Sequence, residues 1–269
     1  MGDDDATSAP REWNASTYHR VSSPQFAWGQ AVLDRLPLRG NETVLDVGCG
    51  TGRLTELLAG RLPHGRAIGI DQSANMLATA RTAMRASVRG RVTFVHADAA
   101  ALPIAGRADA IFSTATFHWV LDHDRLFRSL FAALTPGGRL VAQCGGGPNL
   151  ERQHQRAAAL MRSPAYAAHF TQWTEPWEFA DADGTRARLA AAGFTDITTR
   201  VTAAPVVQPD RAAFIEFVTH VIFRPHLARL PDGPLRTAFV DELASLSAAD
   251  PIPFELDYWR LDVDATRPR

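Results

Sequence analysis

The stretch Thr43 to Gly52, TVLDVGCGTG, constrains this chain more than any other part of it. Val44, Leu45 and Val47 form a short apolar run rich in β-branched residues, the pattern of a strand buried on both faces. The run ends in Gly48, Gly50 and Gly52, and a helical pattern, RLTELLAGRL, begins at once. Glycine lets a backbone approach a ligand closely, and a helix start offers N–H groups that have no partner within the helix. Strand, glycine turn and helix together predict a nucleotide-type ligand site rather than an ordinary strand-to-helix connection.

The same alternation continues. HGRAIGID reads as a second strand ending in Asp71. The helical pattern SANMLATARTAMRASV follows, with Ser73 as N-cap and Met76, Leu77, Ala80 and Met84 on one face. Arg91 to Ala97 alternates as a third strand before Asp98, and Ala108 to Thr114 is the fourth, leading into FHWV. A helix over roughly Asp124 to Leu134 is broken by Pro136-Gly137-Gly138, and RLVAQC makes the fifth strand, running into Gly145-Gly146-Gly147. Strands alternating with helices predict an α/β fold, a parallel doubly wound sheet with helices on both faces.

Four stretches are expected. Residues 1–10 are acidic and polar, without the apolar segment of a signal peptide, and read as a disordered tail of a cytoplasmic protein. Residues 11–40 form an N-terminal helical segment over the site, with Pro24 opening a helix. Trp13, Tyr18 and His19 in it either dock on the core or close over the ligand. Residues 41–147 form a cofactor-binding core. Residues 148–269 add the remaining strands, about 194–201 and 254–263, and a helical, aromatic-rich cap.

Composition narrows the chemistry. No apolar run approaches the roughly 18 residues of a membrane span, and a net charge of −1 provides no global field for nucleic acid or acidic lipid. Every basic residue is arginine, so lysine Schiff-base chemistry is excluded. The two cysteines, Cys49 and Cys144, make neither a disulfide framework nor a four-ligand zinc site, and no metal is expected.

A doubly wound sheet binds ligands at the carboxyl ends of its strands. Asp46 and the glycines stand there after the first strand, Asp71 after the second and Asp98 after the third. Asp71 lies 25 residues beyond Asp46, a spacing that suits a carboxylate accepting two ribose hydroxyls. Asp98 can accept from the amino group of an adenine. A nicotinamide dinucleotide prefers G-x-G-x-x-G, but the sixth position is Arg53. No Lys-Ser/Thr pair follows the glycines, which excludes a P-loop.

With VLDVGCGTG (44–52), GIDQSANML (69–77), HADAAALP (96–103) and TPGGRLV (135–141), the chain resembles the class I S-adenosylmethionine-dependent methyltransferases. The resemblance implies a Rossmann-like seven-stranded sheet with the last strand antiparallel. It implies that the methionine part of the cofactor lies over Gly48, Cys49, Gly50 and Gly52, with Asp46 holding its amino group. Ribose falls to Asp71, and adenine to Gln72, Met76, Asp98 and Ala99. Thr114 is a further cofactor position and Tyr18 a cover.

Within that superfamily, Tyr18 with Gln25, and FHWV (117–120) with Asp122, resemble the trans-aconitate and insect juvenile-hormone-acid methyltransferases. Both make methyl esters on small carboxylic acids. The resemblance makes Gln25, His118 and Trp119 the catalytic, acceptor-contacting residues. A carboxylate is already ionised at neutral pH, so positioning and desolvation suffice, whereas a hydroxyl or carbon acceptor wants a base such as His118. Tyr166, Phe170, Trp173, Trp177 and Phe179 suit an apolar or aromatic acid better than a tricarboxylate, for which Arg162 and Arg224 are the cations to hand. His123 and His154 read as surface residues and His96 as a strand residue. The expected activity is methyl ester formation on a small-molecule acid, with no nucleic-acid or membrane partner. The alternatives are transfer to carbon, nitrogen or a hydroxyl, and a non-catalytic cofactor-binding module.

Overall fold

Apolar strands, most of them followed by a helix, build the expected doubly wound sheet. The structure, a computed structural model, describes residues 23–269. The parallel half consists of β1 (Thr43–Val47), β2 (Arg66–Asp71), β3 (Val92–His96), β4 (Ala108–Thr114) and β5 (Leu134–Gly145). Val44, Leu45 and Val47 are fully buried, as a two-sided central strand requires. The sheet is completed by β6 (Thr195–Ala203) and β9 (Trp259–Thr266) in the order β3-β2-β1-β4-β5-β9-β6. β9 lies between β5 and β6 and runs antiparallel to both, so the sheet has seven strands with the last one reversed, as expected.

Three boundaries differ from expectation. The last strand, expected over 254–263, is two elements. Glu255–Leu256 (β8) pairs with Val206–Val207 (β7) in a separate ladder, and the main-sheet strand starts only at Trp259. Phe254 sits at φ 60°, and the Tyr258 N–H donates to the Leu256 carbonyl, so the chain turns between the two. The strand expected over 194–201 runs on to Ala203. β5 begins at Leu134 rather than Arg139, because Leu134 already pairs with Ala108.

Helices cover both faces. On one, α1 (Ser23–Arg35) buries Val32 and Leu33 with α2 (Arg53–Gly60). On the other, α5 (His123–Ala133) is capped by Asp122 and buries His123, Leu126, Phe127 and Leu130 at helical spacing. Against β2 and β3 packs α3 (Ala74–Ala83), with Ser73 as its N-cap. The capping segment holds α6 (Glu151–Met161), α8 (Arg211–Phe217) and α10 (Pro234–Ala248), while α7 (Ala182–Ala191) precedes β6. It has its own apolar core around Phe214, Phe223 and Phe239. Tyr166 and Phe170 belong to this core, and Trp173 packs at its edge. Among the described residues, no helix is long and apolar enough to cross a membrane.

Candidate active site

The glycine turn after β1 is held by its neighbours. The N–H groups of Gly48 and Cys49 both donate to the Ile70 carbonyl, at 2.7 and 3.0 Å. The N–H of Gly50 donates to Asp71 Oδ2 at 2.8 Å. Gly48 has φ 76°, and a Cβ there would fall 1.9 Å from Thr116 Oγ1, so no larger residue fits. Around Gly50 a Cβ would meet nothing within 4 Å; this is the open side of the turn.

Three carboxylates stand at this end of the cleft. Asp46 is 2% exposed, and its Oδ2 accepts from Thr55 Oγ1 at 2.6 Å. Removal from water, reinforced by the charge of nearby Asp71, pushes its carboxyl up to about 7. Asp71 also accepts the Ser73 N–H at 2.8 Å, joining the glycine turn to the start of α3. Asp98 is exposed and caps the Ala100 N–H. Gln72, Met76 and Ala99 line the cleft between these acids, and Thr114 lines it from the end of β4. Burial pushes the Cys49 thiol well up and that of Cys144 to about 12, so neither is a thiolate nucleophile at neutral pH.

Beyond Thr114 the cleft changes character. The turn Phe117–Trp119 presents His118 and Trp119, and the Gly145 N–H donates to His118 Nδ1 at 3.2 Å. The His118 ring packs 5.7 Å from Phe179, and Trp119 meets Trp177 edge-on at 5.9 Å. Arg260 of β9, paired with Gly145 and 4% exposed, also lines the cleft; its Nε donates to Gln143 Oε1 and its guanidinium lies 4.6 Å from the Trp28 ring. Gln25 Nε2 donates to the Tyr258 hydroxyl at 3.4 Å, while the buried Gln25 Oε1 has no partner among the described residues.

One cleft thus gathers Gln25, Asp46, Gly48, Cys49, Gly50, Asp71 and Gln72 with Met76, Asp98, Ala99, Thr114, His118 and Trp119. Gly52 is not in its lining. At φ 78° it faces Ala80 and Phe94, and it serves helix–sheet packing. Tyr18 lies outside the described residues. Trp177 and Phe179 line the cleft, unlike Tyr166, Phe170 and Trp173.

His123 is buried and His154 half-buried where surface positions were expected. His123 Nε2 meets the Phe117 carbonyl at 3.0 Å and fixes the turn that carries His118; burial lowers its pKa. His154 lines the cleft, and burial pushes it down to about 4. Its sequence signal is the apolar stripe of α6, Leu150, Ala157 and Met161, at helical spacing around it. His96 ends β3, as read. Arg162 is exposed and Arg224 borders a different surface cleft. The cation of this cleft's far end is Arg260, flanked in its strand by Trp259 and Leu261, an arginine within an apolar run.

Comparison with known proteins agrees with this arrangement. Residues 44–138 match the family described as a methyltransferase domain. The chain is 33% identical to the trans-aconitate 2-methyltransferase of Variovorax paradoxus over 86% of its length and 87% of that protein's. It is 31% identical to that of Deinococcus radiodurans over 95% of this chain and 98% of the relative. Among solved structures, a putative methyltransferase from Bacillus halodurans superposes with a TM-score of 0.66 at 15% identity, covering 90% of this chain and all of the other. Haemonchus contortus phosphoethanolamine N-methyltransferase 2, solved with S-adenosyl-L-methionine, gives 0.62 at 20% identity over 95% of this chain and 57% of its own. The chain therefore belongs to the class I S-adenosylmethionine-dependent methyltransferases, in the family that includes these trans-aconitate 2-methyltransferases.

Proposed function

We propose that this enzyme methylates a carboxylate oxygen of a small acid with an apolar body, giving a methyl ester. The observation that carries this reading is the hydrogen bond from the Gly145 N–H to His118 Nδ1. An amide N–H can only donate, so Nδ1 is the acceptor and the neutral ring carries its hydrogen on Nε2. His118 therefore offers the cleft a donor and not a base. Burial holds His154 near 4 and its neighbour His226 near 3, too low for a useful base at neutral pH. An acceptor that arrives already ionised needs none.

The residues at the glycine end fit the cofactor. The donor set offers Asp46 to an ammonium and Asp71 to a ribose diol. Asp71 Oδ2 accepts the Gly50 N–H and Oδ1 the Ser73 N–H, and a carboxylate oxygen can accept from more than one donor. Gly48, Cys49 and Gly50 would lie along the methionine portion, and Gln72, Met76, Asp98 and Ala99 around the adenine, with Thr114 below. Tyr18 remains a proposed cover. Gly52 supports the turn from behind. When bound, the cofactor supplies a methyl group already activated on a sulfonium. The rest falls to this chain: His118 Nε2–H and Gln25 orient the carboxylate, Trp119 shields it from water, and Arg260 supplies positive charge.

That the relatives are trans-aconitate 2-methyltransferases supports a carboxylate acceptor. A tricarboxylate would call for several cations, as each charge taken from water needs a partner. The cleft offers two arginines, Arg53, whose guanidinium lies over the Phe26 ring, and Arg260, together with the apolar Trp119, Trp177, Phe179 and Ile222. That composition favours an acid with one charge and an apolar or aromatic body. The test is to incubate the protein with S-adenosylmethionine and a panel of aliphatic, aromatic and tricarboxylic acids, phenols and amines. Methyl esters of the apolar acids are expected by mass spectrometry. Turnover of tricarboxylates alone would overturn the apolar preference, and turnover of phenols or amines without any acid would overturn the ester reading.

A further inference from the structure

His154 stands one ring beyond His118 along the wall of the cleft. The order is His118, Phe179, His154, with ring centroids 5.7 Å apart at each step and interplanar angles of 34° and 38°. Trp177 lies 4.5 Å from the His154 ring. The wall is aromatic, with polar rings at two places, and the two differ in their hydrogen bonding. His118 has its Nδ1 committed to Gly145. In His154 both ring nitrogens are buried, and among the described residues neither has a hydrogen-bond partner.

A neutral imidazole presents one donor and one acceptor, and folded proteins seldom leave such a buried pair unmet. Packing does not require them, since a phenylalanine would fill much the same space without desolvating two nitrogens. The ring's aromatic neighbours are Trp177, Phe179, Phe223 and His226, which bring neither a carboxylate nor a permanent cation. His154 lines the cleft, so a bound acceptor can bring the partner these nitrogens lack once the ring turns toward it.

We infer that His154 is a specificity-determining residue whose ring hydrogen-bonds a second, uncharged polar group of the acceptor, a hydroxyl or a carbonyl, across the apolar body from the carboxylate. The inference rests on the carboxylate reading and deepens it: the substrate class is a hydroxy or oxo acid. A second carboxylate would lose its water there without gaining a counter-charge from the rings around His154. A hydroxyl matches the imidazole best, because each has a donor and an acceptor to exchange.

The test uses the whole protein saturated with S-adenosylhomocysteine and two probes, phenylpropanoate and its para-hydroxy counterpart, with binding measured by calorimetry. Wild type should bind the hydroxylated acid about tenfold more tightly. In His154→Phe the ratio of the two affinities should fall to about one, and in His154→Gln, which keeps a donor and an acceptor, part of the preference should survive. Retained S-adenosylhomocysteine binding reports that each variant is folded, so the glutamine variant decides if the phenylalanine one is not. Equal affinity of wild type for the two acids, or an undiminished preference in His154→Phe, would overturn the inference while leaving the ester reading standing. Failure of wild type to bind either acid, with S-adenosylhomocysteine still bound, would instead remove the ester reading and this inference with it.

Discussion

Arg260 Nε donates to Gln143 Oε1 at 3.3 Å, and the same amide's Nε2 donates to Asp262 Oδ1 at 2.9 Å. Asp262 also pairs with Arg35 of α1. The guanidinium at the far end of the cleft is thus aimed by an amide whose own orientation is fixed by a charged pair on the sheet. Arg260→Met should raise the KM for the acid between about tenfold and a hundredfold, the range for a charge-assisted hydrogen bond. Gln143→Leu should reproduce part of that loss by releasing the guanidinium, with S-adenosylhomocysteine affinity held in both. A fall in cofactor affinity equal to the loss in KM would contradict the assignment.

For His118, the tautomer dictated by Gly145 leads to a kinetic expectation. His118→Ala should raise KM about tenfold and change kcat only a few-fold, with no new inflection in the pH profile between 6 and 8. Steady-state rates across that range check it. A kcat loss of several hundredfold with a displaced pH optimum would instead mean a base.

Asp46 predicts a pH dependence with a definite sign. Its carboxyl lies near 7 in the folded protein against an ordinary 3.8. Between pH 4 and 7 the native state keeps a proton that the unfolded chain releases, so the contribution to stability falls as pH rises through that window. An ammonium beside Asp46 favours the ionised form. Binding of S-adenosylhomocysteine near pH 6 should therefore expel up to about one proton, and affinity should rise as pH rises toward and past 7. Calorimetry in buffers of different ionisation heat measures the proton, and Asp46→Asn should abolish its release.

Gly48 and Gly50 make a matched pair. Both have positive φ, but only Gly48 has Thr116 where a Cβ would go. Gly50→Ala should cost about 1–2 kcal/mol, the usual penalty of a left-handed conformation. Gly48→Ala should cost well beyond that and abolish cofactor binding, because Thr116 cannot withdraw without dragging the turn that carries His118. Thermal melts of the two variants compare them directly, and equal losses would show that the contact yields.

The cofactor half was legible because its chemistry is local. A strand, a glycine turn and an acid at each following strand end keep fixed spacings along the chain, and Asp46, Gly50 and Asp71 meet as those spacings predict. A glycine needed for close packing and one needed for ligand approach look the same in sequence, so the packing of Gly52 against Ala80 and Phe94 is not legible there. The far end resisted because it is assembled from distant segments. Arg260 reaches the cleft only through the insertion of β9 beside β5, and no local pattern announces that return. His123 and His154 read as surface residues, although helical spacing sets His123 beside the buried Leu126 and Phe127 and His154 beside the buried Ala157.

The position of β9 also bears on how the molecule is made. In the main sheet β6 bonds to β9 alone, and β9 is the last of the seven strands to leave the ribosome. The five parallel strands can join as they emerge, but β6 must wait on the order of seconds for its partner at ordinary translation speeds. Until then the Cys144 edge of β5 is open, and the cleft has its glycine turn but not Tyr258 or Arg260. A nascent chain at this stage would hold the half that binds cofactor before it has the half that selects what is methylated.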